Sequence, residues 1–157
     1  MEEKMDVKNA VKELLSRKKT LEKVGVDELR REKIALEQRE VKFHRQIEQI
    51  EKQKSELFAK GAHEASDRQQ LMLARKIKDL DAQGRNLDMN CSFINRQLRI
   101  LNGFVQLKEN QDLIKNYGLS SVITKMDLSK LQRYIERATI DRQFSMDRFA
   151  EILGRLE

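Results

Sequence analysis

Between residues 73 and 108 small or apolar side chains return at alternating steps of four and three without a break: Leu73, Ile77, Leu80, Gly84, Leu87, Cys91, Ile94, Leu98, Leu101 and Val105, with Lys108 next in phase. An average step of 3.5 residues is the seam of a helix that lies along another helix. A helix over 67–117 would be about 75 Å long at 1.5 Å per residue, and its stripe is too narrow to build a globular core alone. A second long helix has to cover it. Leu29, Leu36, Phe43, Ile50 and Leu57, each seven residues from the next, supply one, with Ile34, Val41, Ile47 and Phe58 widening the stripe.

The two arms are separated by Ala59-Lys60-Gly61-Ala62-His63-Glu64-Ala65-Ser66. Gly61 is suited to a helix stop, and Ser66 or Asp67 to capping the next helix. The expectation is an all-α fold: a long antiparallel, coiled-coil-like hairpin with its tip near Gly61, followed by shorter C-terminal helices. That tip sets Leu36 against Asn90 and Cys91, and Phe43 against Gly84. A glycine inside a helix costs about 1 kcal/mol relative to Ala, and room for the Phe43 ring would explain Gly84.

Three regions follow: 1–24, a hairpin core over 25–118, and 119–157. Residues 1–24 are amphipathic, with Val7, Ala10, Val11, Leu14, Leu15 and Leu21 on one side. Either the first arm simply continues, these residues packing on Leu101, Val105, Ile114 and Tyr117, or the segment detaches and lies on a membrane. In the second case its apolar face inserts while Lys8, Lys12, Arg17, Lys18, Lys19 and Lys23 face anionic lipid. Gly118 ends the second arm and is the expected hinge. Beyond it the spacing predicts a short helix over 119–126 and a longer one over 127–155, carrying Leu128, Leu131, Ile135, Ala138, Phe149, Ile152 and Leu156, with its stripe interrupted at Arg142 and Ser145.

Composition narrows the function classes. With no Pro or Trp, 5% aromatic and 37% charged residues, the chain lacks the means to close an ordinary globule around a pocket. No glycine-rich phosphate loop, nucleophile elbow or zinc-binding helix motif is present, so no catalytic residue, metal ligand or cofactor is assigned. His44 and His63 read as surface side chains, Cys91 as a small buried apolar residue, and Asp79, Asp81 and Asp88 as solvated. The net charge of +6 is spread thinly along the chain, which favours an anionic surface over specific reading of nucleic acid. A single cysteine, no apolar run long enough to span a bilayer and no secretory core near residue 1 together point to a cytoplasmic protein, at most peripheral to a membrane.

The order of these elements resembles the ESCRT-III proteins and their archaeal cell-division homologues, with the bacterial phage-shock proteins as more distant relatives. Four stretches carry the likeness over about 25–155. They are the small-residue tip Phe58 to Ala65; Leu73-Ala74-Arg75-Lys76-Ile77-Lys78-Asp79-Leu80 with the arm after it; Val122-Ile123-Thr124-Lys125-Met126-Asp127; and the charged, apolar alternation from Leu131 to Leu153. The resemblance implies a homo-polymer, alone or with paralogous subunits, that coats an anionic membrane, deforms or severs it, and is taken apart by an AAA ATPase. Leu29, Leu36, Phe43, Ile50, Leu73, Ile77, Leu80, Leu87, Ile94 and Leu98 would then hold the hairpin, and Leu131, Ile135, Phe149 and Ile152 would bridge to neighbouring subunits. Two departures stand out. The sequence reaches Glu157 without the family's further C-terminal helices, and Phe149 sits where an acidic residue belongs before Ile152-Leu153-Gly154-Arg155-Leu156, a stretch better read as packing than as an ATPase contact. The alternative function is a soluble coiled-coil adaptor or dimeric scaffold with no membrane role.

Overall fold

The computed structural model describes residues 9–64 and 66–155. Two long helices, α2 (Val26–Ala62) and α3 (Asp67–Glu109), pack against each other as a hairpin. Both obey the helix dipole, with Asp27 and Glu28 in the first turn of α2, Asp67 in that of α3, and Lys60 and Lys108 in the last turns. Ser66 caps α3 as expected, its Oγ accepting from the Gln69 amide at 3.3 Å.

Gly61 does not stop α2. It stays helical, Ala62 continues the helix, and the amides of His63 and Glu64 close back on the carbonyls of Lys60 and Gly61 at 3.2 Å each. Leu73 Cδ1 lies 3.6 Å from where a Cβ of Gly61 would be, an ordinary contact that sets these two residues opposite each other across the hairpin. The turn therefore lies later than the sequence suggested, and the pairing moves with it: Gly84 faces Ile50, one heptad beyond Phe43. A slip of a whole heptad leaves every seam residue in the seam, which is why periodicity alone could not detect it. Ile34, Val41 and Phe58 do not widen the stripe; they are 53%, 48% and 61% exposed.

The chain divides into two compact units, residues 38–94 and residues 9–37 with 95–155. The first is the hairpin end alone. In the second, the C-terminal part of α3 is surrounded. Its seam residues Leu101 and Val105 are buried, and so are Ile100, Phe104 and Leu107 on another face, the i, i+4, i+7 spacing of a second stripe.

Helix α1 (Ala10–Arg17) belongs to this second unit and does not extend α2. The backbone breaks over 18–25, with a single 3-10 turn at Leu21–Lys23. Ala10 meets Gln97 and Leu21 meets Lys108, so the segment ascends in the same direction as α3. The start of α2 runs the opposite way, Arg30 pairing with Glu109 and Lys33 Nζ reaching Asn102 Oδ1 at 3.5 Å.

Helix α3 is interrupted at Asn110, whose side-chain amide donates to the Gln106 carbonyl at 2.7 Å, before α4 (Gln111–Asn116). Gly118 then takes φ of 72° in a Schellman stop: its amide bonds the Lys115 carbonyl at 2.9 Å and that of Leu119 the Ile114 carbonyl at 3.2 Å. At Gly118, the expected hinge, the chain forms this hydrogen-bonded helix end and goes on to a buried Leu119.

After α5 (Ser120–Lys125), the predicted long last helix is two helices, α6 (Leu128–Arg137) and α7 (Met146–Gly154), separated by an antiparallel ribbon of β1 (Thr139–Ile140) and β2 (Gln143–Phe144). The interruption in its apolar stripe is a tight turn: Asp141 and Arg142 adopt φ of 52° and 68°, the left-handed pair of a two-residue hairpin loop. Asp127 caps α6 and Ser145 caps α7 through the Ser129 and Arg148 amides.

Candidate functional site

In residues 38–94 the seam is only partly closed. Phe43, Ile50, Leu73, Cys91 and Ile94 are buried, whereas Leu57, Ile77, Leu80 and Leu87 are half-exposed. Two helices can each cover one side of the other's stripe and no more. A groove of about 440 Å³ runs over Leu57 and Leu80, walled by Gln53, Glu56, Lys76, Asp79 and Gln83. Phe58, Leu71, Met72 and Met89 are more than half in solvent or close to it, at 61%, 53%, 50% and 69%.

Lys54 bridges Glu51 on its own helix and Asp81 across the hairpin. The hydrogen bond from Lys54 holds the Asp81 carboxyl below its ordinary range, and the same bond, aided by Glu51, raises the Lys54 ammonium. Asp81 is therefore an ion-pair partner and not a merely solvated acid. Burial, reinforced by the negative charges of Glu40 and Asp88, pushes the Cys91 thiol up, away from the reactive thiolate.

The second unit contains a different kind of surface. Arg96, Arg99 and Ile100 from α3, Ile135 and Glu136 from α6, Thr139 from β1 and Arg142 from the turn after it line a cleft of about 220 Å³. Glu136 is engaged twice, accepting from Arg96 at 3.1 Å and from Gln132 Nε2 at 3.1 Å. Sequence reading marked Arg142 only as a break in the apolar stripe and gave Arg96 and Arg99 no binding role, because helix α6 and the turn that bring them together are distant from α3 in the chain. The same holds for Gln97, buried on α3, whose Oε1 accepts from the amides of Ala10 at 2.6 Å and Val11 at 3.3 Å.

The residues expected to touch lipid are distributed as follows. Lys12, Lys19 and Lys23 are exposed, Lys18 is half-buried, and Arg17 Nη1 is paired with Glu28 at 3.0 Å. Lys8 lies outside the described residues, as do Val7 and Leu156. The apolar face of α1, formed by Ala10, Val11 and Leu14, is buried, which is the packed alternative for this segment, reached by turning back and not by extending the arm. Leu29, Leu36 and Leu98 line the hairpin base, the first two buried and the third half-buried.

Leu131, Ile135 and Phe149 are fully buried within the second unit and Ile152 is half-buried. His44 and His63 are exposed, and among the described residues no group of three His, Cys, Asp or Glu is placed to hold a metal. Among the same residues no helix is long and apolar enough to cross a membrane. Compared with protein-family models, curated proteins and solved structures, the chain has no match in any of the three.

Proposed function

We propose that this protein is a non-enzymatic scaffold that assembles side by side through its hairpin on an anionic membrane surface and deforms it, as its resemblance to the ESCRT-III proteins implies. The observation that carries the reading is the half-open seam of residues 38–94, where Leu57, Ile77, Leu80 and Leu87 remain accessible next to exposed Phe58 and Met72. Apolar area gains about 25 cal/mol per Å² when removed from water, so another helix laid along this groove is stabilised by the surface that the hairpin leaves uncovered. A second copy of the chain provides such helices. Leu131, Ile135 and Phe149 bridge to neighbours only after α6 and α7 leave α3, so the described form corresponds to the closed subunit of such a polymer, and an AAA ATPase would recycle it.

A second reading, a soluble adaptor whose hairpin binds another protein, is favoured by α1. Its apolar face is already buried, so among the described residues of this segment the contact with lipid would fall to basic side chains such as Lys12, Lys18, Lys19 and Lys23 and not to an inserted apolar face. Negative-stain microscopy with and without anionic vesicles separates the two: tubes or coated, deformed vesicles belong to the first, isolated rods to the second. Salt-sensitive vesicle binding that falls on reversing Lys18 and Lys19 to Glu supports the membrane role, and unchanged co-sedimentation removes it.

A further inference from the structure

The arginine cleft of the second unit serves neither the hairpin seam nor the basic N-terminal segment. We propose that it binds a phosphate monoester, with Arg99 and Arg142 gripping the phosphate oxygens while Arg96 stays paired with Glu136 at the edge of the site.

Charge balance is the first argument. Three arginines and one acidic residue line the cleft, and Glu136 is already committed to Arg96 and Gln132. Neither Arg99 nor Arg142 has a carboxylate partner among the described residues, so the cleft holds two uncompensated positive charges. A phosphate monoester carries about −1.5 to −2 at neutral pH, which matches them. Guanidinium forks suit paired phosphate oxygens better than a single-point cation does.

Backbone geometry is the second. Arg142 occupies φ of 68°, a left-handed conformation that crowds a residue with a Cβ and that Asn or Gly would adopt more readily. The turn thus fixes a long cationic side chain at the cleft where a smaller residue would relieve strain.

Size is the third. About 220 Å³ is below the roughly 300–1,000 Å³ of sites that enclose a whole small molecule, so the cleft takes the phosphate group while its carrier remains outside. Both a free ester and the headgroup of phosphatidic acid, the phospholipid whose phosphate is esterified only once, have that form.

The test uses the whole chain and two variants: Arg99→Gln with Arg142→Gly, in which glycine suits the positive φ and preserves the turn, and Arg142→Lys, which keeps the charge but not the fork. Glycerol 3-phosphate is titrated by calorimetry, and vesicles containing phosphatidic acid are compared with phosphatidylglycerol vesicles of equal surface charge. Binding of glycerol 3-phosphate that weakens at least tenfold in the double variant, with Arg142→Lys intermediate, supports the site with a free ester as its source. A preference for phosphatidic acid that disappears in the double variant supports it with a lipid headgroup as its source. Equal behaviour of the unmodified chain and the double variant in both assays, or no binding in either, overturns the proposal. The calorimetric arm is independent of assembly, so the scaffold reading and this site fail separately.

Discussion

Ile135 of α6 sits over Gly103 of α3 so closely that its Cγ2 occupies the space of any side chain at that position. This contact fixes how near α6 approaches the central helix, and it sets Gly103 apart from the other glycine inside α3. At Gly84 an added Cβ would lie 3.8 Å from Ile50 Cγ2, an ordinary contact.

Opposite signs are expected from the two glycines. Gly84→Ala should stabilise the protein by up to about 1 kcal/mol through helix propensity alone. Gly103→Val should destabilise it by about 2–3 kcal/mol, since overpacking a filled core outweighs that gain. Urea denaturation of both variants checks this; a stabilised Gly103→Val would mean that α6 does not pack there.

Gln97 supplies from another helix what the start of α1 lacks. Replacing it with Leu leaves the amides of Ala10 and Val11 without their buried acceptor, at a cost of about 1–3 kcal/mol. Hydrogen exchange should speed up over residues 10–17 before it does elsewhere in the second unit. Uniform acceleration would show that the bond is not local to α1.

The Lys54–Asp81 pair confers a defined pH response. Asp81 titrates below its ordinary 3.8, so its contribution is present above that pH and is lost as the pH falls through the lowered value. Lys54 titrates above 10.5, so its contribution is present below that pH and is lost as the pH rises through the raised value. Carboxyl NMR titration should find Asp81 returning towards 3.8 in Lys54→Met, and added salt should shrink the difference because the pair is at the surface.

Cys91 is 6% exposed and its thiol is raised by burial. A thiol reagent at pH 8 should modify it much more slowly than a free cysteine in the native protein, and at the ordinary rate in denaturant. Rapid native labelling would show that the hairpin seam opens at this level.

The seam from Leu73 to Val105 and its partner from Leu29 to Leu57 were legible because both depend only on helical spacing. Register was not, since Phe43 and Ile50 are equivalent in a heptad pattern and only the turn chooses between them; Gly61 suggested a stop, whereas Ala62 carries the helix on. The second stripe, Ile100, Phe104 and Leu107, was present in the sequence but masked by the stronger seam beside it. At Arg142 and Ser145 the lost periodicity marked a real boundary, although of the two turn residues only Asp141 is of a type that readily takes left-handed φ, and Arg142 is not. The arginine cleft could not be read at all, because its members meet only through tertiary packing of α3, α6 and the ribbon.

Two main-chain contacts tie the segment before α2 to the start of α6: the Leu128 amide donates to the Lys19 carbonyl at 2.9 Å, and Thr20 bridges Asp127 in antiparallel fashion. Lifting α6 away therefore unclasps residues 19–20 in the same event, so the basic stretch and the late helices share one latch. Any trigger acting on either would be felt by both.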